Sequence, residues 1–236
     1  MKTNTVIRTM SLLPFLVLGI MSTSLQAQNN VGAVAEIGSS NIDVNGLGIL
    51  ELIKPNINSI PQYSAGLIYE RQLNQQWSVV TGARYSTRGF EMQEDVNINL
   101  MGLDLPVSAK INTRLHYVEV PVAMQFNFAK KGISPYLKAG ASAGYAIEGK
   151  IQPYVDALIN WKLPSIPINL ENDLYNRFDI AAIGSAGISI PTNDIGSLQF
   201  EVNYRHSLND MFQDNITDIR IKSNGFGAGV SYTMRF

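Results

Sequence analysis

The sequence is poor in cysteine, histidine and charged residues. It has no cysteine in 236 residues, which excludes disulfide scaffolds, thiolate metal sites and cysteine nucleophiles. Only two histidines are present, so a histidine-rich metal centre is not expected. Charged residues make up 16% of the chain, against roughly 25% in an ordinary soluble domain. The net charge of −1 lacks the basic excess of a nucleic-acid-binding protein.

Long apolar runs are also missing after the N-terminal segment, although hydrophobic residues reach 45% of the chain. Such a content excludes a disordered chain. A membrane-spanning helix needs about 20 consecutive apolar residues, and no run approaches that length. One charge-free stretch, 180–193, is interrupted by small residues and Pro191. An exported soluble protein or a transmembrane β-barrel remains possible.

The N-terminus has the order of a secretory signal peptide. Basic residues in the first eight positions precede an uncharged apolar stretch over 12–21, and a polar segment then ends at Ala27. The apolar stretch is too short for a spanning helix. We predict a signal peptide over 1–27 and a single mature domain over 28–236. A short N-terminal anchor is the alternative.

Apolar and polar residues alternate through most of the mature chain. Every even-numbered residue from Phe226 to Phe236 is apolar, and the odd-numbered residues between them are small or polar. This alternation predicts a β-strand with one apolar face. Similar patterns predict seven more strands, near 31–38, 63–70, 77–86, 118–128, 137–148, 178–190 and 198–205.

The predicted connections alternate between short and long. The short ones lie near 73–76, 129–134 and 191–196, and the long ones span about 39–61, 92–113, 149–176 and 209–222. Outer-membrane barrels have short periplasmic turns and long extracellular loops. The fold class predicted for 28–236 is therefore all-β: an eight-stranded antiparallel up-and-down transmembrane β-barrel in the cell outer membrane.

The apolar face of the predicted strands carries no charge in mid-strand. A Lys or Arg facing lipid at the midplane costs roughly 2–4 kcal/mol, so this face is expected to contact outer-membrane lipid. A soluble lipocalin-like barrel would need a well-charged outer face, whereas the other face is mainly Gly, Ser and Ala. Aromatic residues near the strand ends predict the two interfacial girdles. They are Tyr63, Tyr69, Trp77, Tyr85, Phe126, Phe128, Tyr145, Phe178, Tyr204, Phe226, Tyr232 and Phe236.

The polar face carries five basic and six acidic residues, nearly in balance. The interior of an eight-stranded barrel is just wide enough to be filled by side chains, and buried charges destabilise strongly unless they are paired. We predict a plugged lumen, with a narrow or gated pore for ions or small solutes as the alternative. The predicted network consists of Glu36, Glu70, Arg84, Arg88, Glu119, Lys138, Glu148, Asp179, Glu201, Arg205 and Arg235.

Two runs carry a family resemblance: LHYVEVPVAMQFNF over 115–128 and ISPYLKAGASAGYAI over 133–147. They resemble the PorT-like outer-membrane β-barrel family, often labelled porin family protein. The matching residues are Tyr117, Glu119, Pro121, Pro135, Tyr136, Gly140 and Gly144. The resemblance implies a Gram-negative outer membrane and delivery to the barrel assembly machinery through the terminal Phe236. Because PorT belongs to a protein-secretion assembly, it also implies a role in partner interaction or secretion-related assembly.

The two histidines are the remaining candidates for catalysis, because some small outer-membrane barrels hydrolyse or acylate lipids. His206 precedes Ser207 near the outer end of the seventh strand. Neighbours on a strand point to opposite faces, so this pair cannot form a Ser–His dyad. His116, at the top of the fourth strand, has no obvious serine partner. We predict a non-enzymatic protein without catalytic, cofactor or metal residues, and keep a lipid-modifying enzyme as a remote alternative.

The predicted extracellular loops are unusually apolar. Odd positions from Val107 to Leu115 are apolar except Thr113, and even positions are apolar from Val118, which predicts a strand above the membrane with a bulge or register change near Tyr117. The loops either pack into a cap over the barrel or expose a patch that docks a partner protein or ligand. The candidate interaction residues are Leu50, Leu52, Ile53, Leu158, Trp161, Leu163 and Ile166. We predict a monomer that acts through these loops in partner or ligand interaction, secretion-related assembly or envelope structure.

Overall fold

The computed structural model describes residues 28–45, 56–100, 103–156, 160–170, 175–192, 195–211 and 220–236. The predicted signal peptide lies outside these ranges, as do four of the candidate loop residues, Leu50, Leu52, Ile53 and Leu158. The other three candidates, Trp161, Leu163 and Ile166, lie inside them.

The described chain is built from antiparallel β-strands. They are β1 (Asn29–Asn45), β2 (Asn56–Gln72), β3 (Trp77–Leu100), β4 (Leu103–Asn127), β5 (Ser134–Asp156), β6 (Asn160–Lys162), β7 (Ile166–Pro167), β8 (Phe178–Pro191), β9 (Gly196–Ser207) and β10 (Arg220–Arg235). The short β6 and β7 both pair with the outer part of β5. No helix in the described ranges has the length and apolarity that a membrane crossing requires.

The eight long strands close into a ring. Each pairs with its neighbours along the chain, and β8 pairs with β5 across the segment that contains β6 and β7. The ring closes where β1 pairs with β10, from Asn30 opposite Arg235 to Asn45 opposite Arg220. Closure removes the free sheet edges that lipid cannot satisfy. The predicted eight-stranded antiparallel up-and-down barrel is confirmed.

The two faces of each strand meet different surroundings. On β10, Ser231 and Thr233 are buried in the lumen, whereas Phe226 and Val230 are exposed on the outer surface. Ile37 on β1 is likewise exposed on the outside. Large apolar side chains on an outer surface are stable when lipid is the surrounding solvent. The period of two therefore separates a lipid face from a lumen face.

The connections at the end of the barrel where β1 begins and β10 ends are short. The chain turns between Gln72 and Trp77, and Leu73 donates a backbone hydrogen bond to Trp77 at 2.8 Å. The other two short connections fall between Asn127 and Ser134 and between Pro191 and Gly196, as the sequence predicted. Gly132 has φ of 75°, a left-handed conformation that glycine adopts without strain.

The opposite end of the barrel has much longer strands than the sequence predicted. The predicted long loop over 92–113 is largely a hairpin, because the β3–β4 ladder continues to Leu100 opposite Leu103. Similarly, β1 reaches Asn45 instead of ending near Gly38. Above the membrane both sheet faces can meet water, so the strand continues without the alternation that marks it within lipid.

A β-bulge interrupts the β4–β5 ladder near the membrane surface. His116 lies opposite Glu148 and Tyr117 opposite Ala146, which leaves Ile147 as the extra residue on β5. The predicted register change near Tyr117 is therefore present. Beyond the bulge the faces of β5 are exchanged, so that Gly149 is buried and Glu148 lies on the exposed outer surface. This corrects the assignment of Glu148 to the lumen.

Candidate functional site: the filled lumen and the projecting sheet

An apolar cap fills the outer end of the barrel. Its buried members come from strands and connecting segments: Ile42, Phe90, Leu115, Tyr117, Ala146, Leu170 and Met211. Leu115 is only 1% exposed. The connecting segments are fixed by backbone hydrogen bonds, such as that from Met211 to Ile221 at 2.8 Å. Part of the described loop residues, such as Leu170 and Met211, thus pack as a cap, whereas Trp161, Leu163 and Ile166 stay exposed.

A four-residue charge cluster lies directly below the cap. Asp179 on β8 accepts hydrogen bonds from Arg88 at 2.5 Å and from Arg205, while Arg88 also pairs with Glu119. Ser207 donates to the other oxygen of Asp179 at 2.6 Å. All four charged groups are buried, so each guanidinium depends on the carboxylates for its stability.

Two further ion pairs lie deeper in the lumen. Arg84 contacts Glu36 at 2.5 Å, and Lys138 contacts Glu201 at 2.5 Å. Tyr136 is 1% exposed and donates its hydroxyl hydrogen to Glu201 at 2.8 Å. Four cations and four carboxylates are thus brought together as ion pairs in the lumen.

The remaining predicted network residues lie elsewhere. Glu70 is buried near the periplasmic end, where Gln199 donates to it at 3.4 Å. Arg235 is exposed at the periplasmic mouth, an opening of about 470 Å³ lined mainly by polar side chains. Glu148 lies outside the barrel beside Lys150, at 2.8 Å. Eight of the eleven predicted network residues therefore pair with one another, and Glu70, Arg235 and Glu148 lie apart from them.

A small cavity lies among the lumen charges. Its volume is about 60 Å³, and its lining includes Arg84, Ser142, Asn203 and Arg205. Each of these side chains has a buried polar atom without a hydrogen-bond partner among the described residues. A polar cavity of this size accommodates a few water molecules, since one needs roughly 10–15 Å³ measured in this way. Water can therefore complete the hydrogen bonding of the network.

We expect no stable open channel when the purified barrel is inserted into a planar lipid bilayer. The apolar cap and the ion pairs occupy the lumen between the cell exterior and the periplasmic mouth. The measurement is single-channel conductance in symmetrical salt, compared with protein-free detergent as the control. A reproducible conductance above that background would contradict a closed lumen and favour the narrow pore.

The two histidines have separate surroundings on the outer rim. His206 has its Nδ1 atom 3.9 Å from Asp43, whereas its neighbour Ser207 is buried and bonded to Asp179. The expected opposite orientation of His206 and Ser207 is therefore present. His116 forms a short hydrogen bond with the hydroxyl of Tyr85. No cluster of three or more His, Asp or Glu residues in the described ranges is placed to hold a metal.

Aromatic side chains gather at both rims of the outer surface. Towards the periplasmic end, Trp77 and Phe126 have ring centroids 4.9 Å apart. At the outer rim, Tyr145 and Phe178 pack edge to face at 5.1 Å. The predicted girdle residues are exposed except Tyr69, Phe126 and Tyr232, which are half-buried.

Part of the wall stands above the membrane as a projecting sheet, which we define as residues 108–113 of β4, 150–156 of β5, and β6 with β7. Three of the predicted interaction residues lie on this sheet or beside it. Trp161 is 64% exposed and Ile166 57% exposed, and Leu163 between them is also exposed. The sequence missed Ile111, a further exposed apolar residue on β4. Its odd-position pattern with Val107 and Leu115 was the available signal.

The sequence of the chain matches a known family. Residues 25–213 match the model of the family described as outer membrane protein beta-barrel domain. The chain belongs to this family and is a protein of the cell outer membrane. No curated protein matches it in sequence.

Solved structures with a similar fold include several bacterial barrels. OprG from Pseudomonas aeruginosa is 13% identical over 89% of this chain and 96% of that one, with a TM-score of 0.46. Neisserial surface protein A is 11% identical over 86% and 97%, with a TM-score of 0.40. The outer membrane protease OmpT from Escherichia coli is 9% identical over 92% and 99%, with a TM-score of 0.44. Likenesses this distant do not bear on the activity of the chain.

Proposed function

We propose that this protein is a non-enzymatic barrel with a closed lumen that binds a partner protein at the cell surface through its projecting sheet. One observation carries the proposal: Trp161, Leu163 and Ile166 expose apolar surface above the membrane. Exposed apolar patches with an aromatic anchor are typical of protein interaction sites. Such a surface is costly in water unless a partner covers it.

Backbone hydrogen bonds support the patch and reduce the cost of ordering it on binding. Trp161 lies opposite Val155 in the β5–β6 ladder, and Leu163 donates a backbone hydrogen bond to Pro153 at 3.1 Å. The ammonium of Lys162 lies 5.8 Å from the centre of the Tyr154 ring. A surface held in place before binding loses less conformational entropy when a partner docks.

The finer assignment, a PorT-like role in secretion-related assembly or envelope structure, rests on the sequence resemblance alone and is a proposal by analogy. The non-enzymatic assignment is supported by the use of Ser207 in the lumen. Its hydroxyl hydrogen is donated to Asp179, and its neighbour His206 lies on the other face of β9. This pair is therefore not arranged for nucleophilic attack.

Replacing both Trp161 and Ile166 with serine is expected to reduce partner capture at least about tenfold, since hot-spot residues contribute around 2 kcal/mol or more each. The measurement is crosslinking on intact cells, followed by purification of the barrel and quantification of the co-purified protein. Both residues are exposed, so the barrel itself is expected to fold normally.

The matched control replaces Leu73 and Ile133 with serine, because these exposed apolar residues lie in turns at the periplasmic end. Equal capture by the wild type and the Trp161 and Ile166 variant would contradict the proposal. Deleting all of 149–176 is a less specific test. That deletion also removes Leu170 and Ile168, which pack in the cap.

A further inference from the structure

A second surface lies on the barrel wall at the lower edge of the projecting sheet, and one of its residues, Lys150, belongs to that sheet. Arg114 on β4 and Lys150 on β5 are paired across the ladder, immediately beyond the bulge. Arg177 directly precedes β8 at the same rim. We call these three residues the cationic band. Arg177 lies one position above the row in which Tyr145 is opposite Phe178, part of the outer aromatic girdle, and Arg114 lies four positions above Val118, the partner of Tyr145 on β4.

The contacts of the band leave positive charge unneutralised. Lys150 bonds to Glu148 at 2.8 Å, and that hydrogen bond lowers the pKa of Glu148, so the carboxylate stays ionised. The guanidinium of Arg177 stacks on the Tyr145 ring at 4.7 Å. Three cations thus face one carboxylate. The next charged groups outward, Glu91 and Lys110, are of opposite sign and add no net charge.

Arg114 is half-buried on β4. Its Nε atom is buried and has no acceptor among the described residues. An arginine beside a lysine suits phosphate, because the planar guanidinium donates two parallel hydrogen bonds to phosphate oxygens. Tyrosine and tryptophan belts fix the depth of a membrane protein at the level of the lipid headgroups. The band begins beside such a belt at Arg177 and extends about four residues outward to Arg114 and Lys150, whose long side chains can reach back towards the headgroups.

We propose that the cationic band binds the phosphate groups of the glycolipid in the outer leaflet of the outer membrane. Arg114 and Lys150 contact one phosphate from neighbouring strands, and Arg177 supplies a second point of attraction on the same wall. Glu148 limits the affinity by competing for Lys150. This binding would hold the barrel wall against specific lipids and does not use Trp161, Leu163 or Ile166, the residues proposed to dock the partner.

The test is a titration of the purified barrel in detergent with bisphosphorylated lipid A and with its dephosphorylated form, counted by native mass spectrometry. Replacing Arg114 and Lys150 with glutamine is expected to weaken binding of the phosphorylated form about tenfold or more, because each cation near an anionic lipid surface contributes about 1 kcal/mol. Binding of the dephosphorylated form should be weak and unchanged. Glu148→Gln should tighten binding of the phosphorylated form by freeing Lys150.

The matched control replaces Lys130 and Lys131, two exposed cations in a periplasmic turn, and should bind as the wild type does. Electrophoretic migration without heating verifies that every variant is a folded barrel. Wild-type affinity in the Arg114 and Lys150 variant would overturn the proposal. So would equal wild-type binding of both lipid forms, or displacement of lipid by an equal concentration of inorganic phosphate, which would indicate a site for the free ion.

Discussion

Replacing Asp179 with asparagine is expected to destabilise the folded barrel by about 3–5 kcal/mol. The carboxylate of Asp179 accepts hydrogen bonds from both Arg88 and Arg205, and a third from Ser207. Without its charge, two buried guanidinium groups share the single carboxylate of Glu119. A buried cation without a counter-ion is far less stable than the same group in water. The barrel wall prevents the guanidinium from reaching the solvent.

Unfolding in urea from lipid vesicles, followed by tryptophan fluorescence, measures this loss. Glu148→Gln is the matched control, because its ion pair with Lys150 is exposed and such pairs contribute only about 0–1 kcal/mol. Replacing Asp179 by leucine together with Arg205 by methionine should recover part of the stability, since the pair is then removed as a unit. An unfolding midpoint of Asp179→Asn equal to that of the wild type would contradict the role of the cluster.

Truncating Leu115 to alanine is expected to cost about 2–5 kcal/mol, as for other fully buried leucines. Leu115 lies at the centre of the cap, where strands and connecting segments pack together. Its removal leaves a cavity beside Phe90 and Leu170, and the cost depends on how far those neighbours can relax. The cap combines rigid strand residues with loop residues, so we expect only partial relaxation.

The same unfolding measurement applies, with Val122→Ala as the control. Val122 lies on the same strand but faces outward and is exposed to lipid. Its truncation removes apolar surface without opening an internal cavity, so a loss of less than about 1.5 kcal/mol is expected. Similar losses for the two variants would show that the outer end of the barrel is not a packed core.

The sequence predicted the barrel because strands that face lipid on one side alternate apolar and polar residues. This pattern can be recognised from the sequence alone. The apolar–polar pattern did not mark the strand ends where both faces meet water. For this reason β1 and the β3–β4 hairpin were predicted too short. The pattern also indicated a register change near Tyr117 but not which strand holds the extra residue. That residue, Ile147, is on β5, and its position moved Glu148 to the outer surface.

The sequence predicted most of the charged residues that line the lumen but not which of them form ion pairs. Near balance of charge on one face indicates that the charges are paired, yet partner choice depends on the tilt and stagger of the strands around the ring. Arg88 and Asp179, for example, are 91 residues apart in sequence and lie on strands that are not neighbours. The projecting sheet likewise required knowledge that β6 and β7 pair with β5.

The pairing of the first strand with the last determines the order in which this chain can fold. The β1–β10 ladder joins residues 30–45 to residues 220–235, so it has the largest loop-closure cost of any ladder in the barrel. Until it forms, two unpaired edges face lipid, where each unsatisfied backbone group costs several kcal/mol. We therefore expect ring closure to be the final step of insertion. An outside strand that temporarily covers those edges would act as a catalyst of assembly.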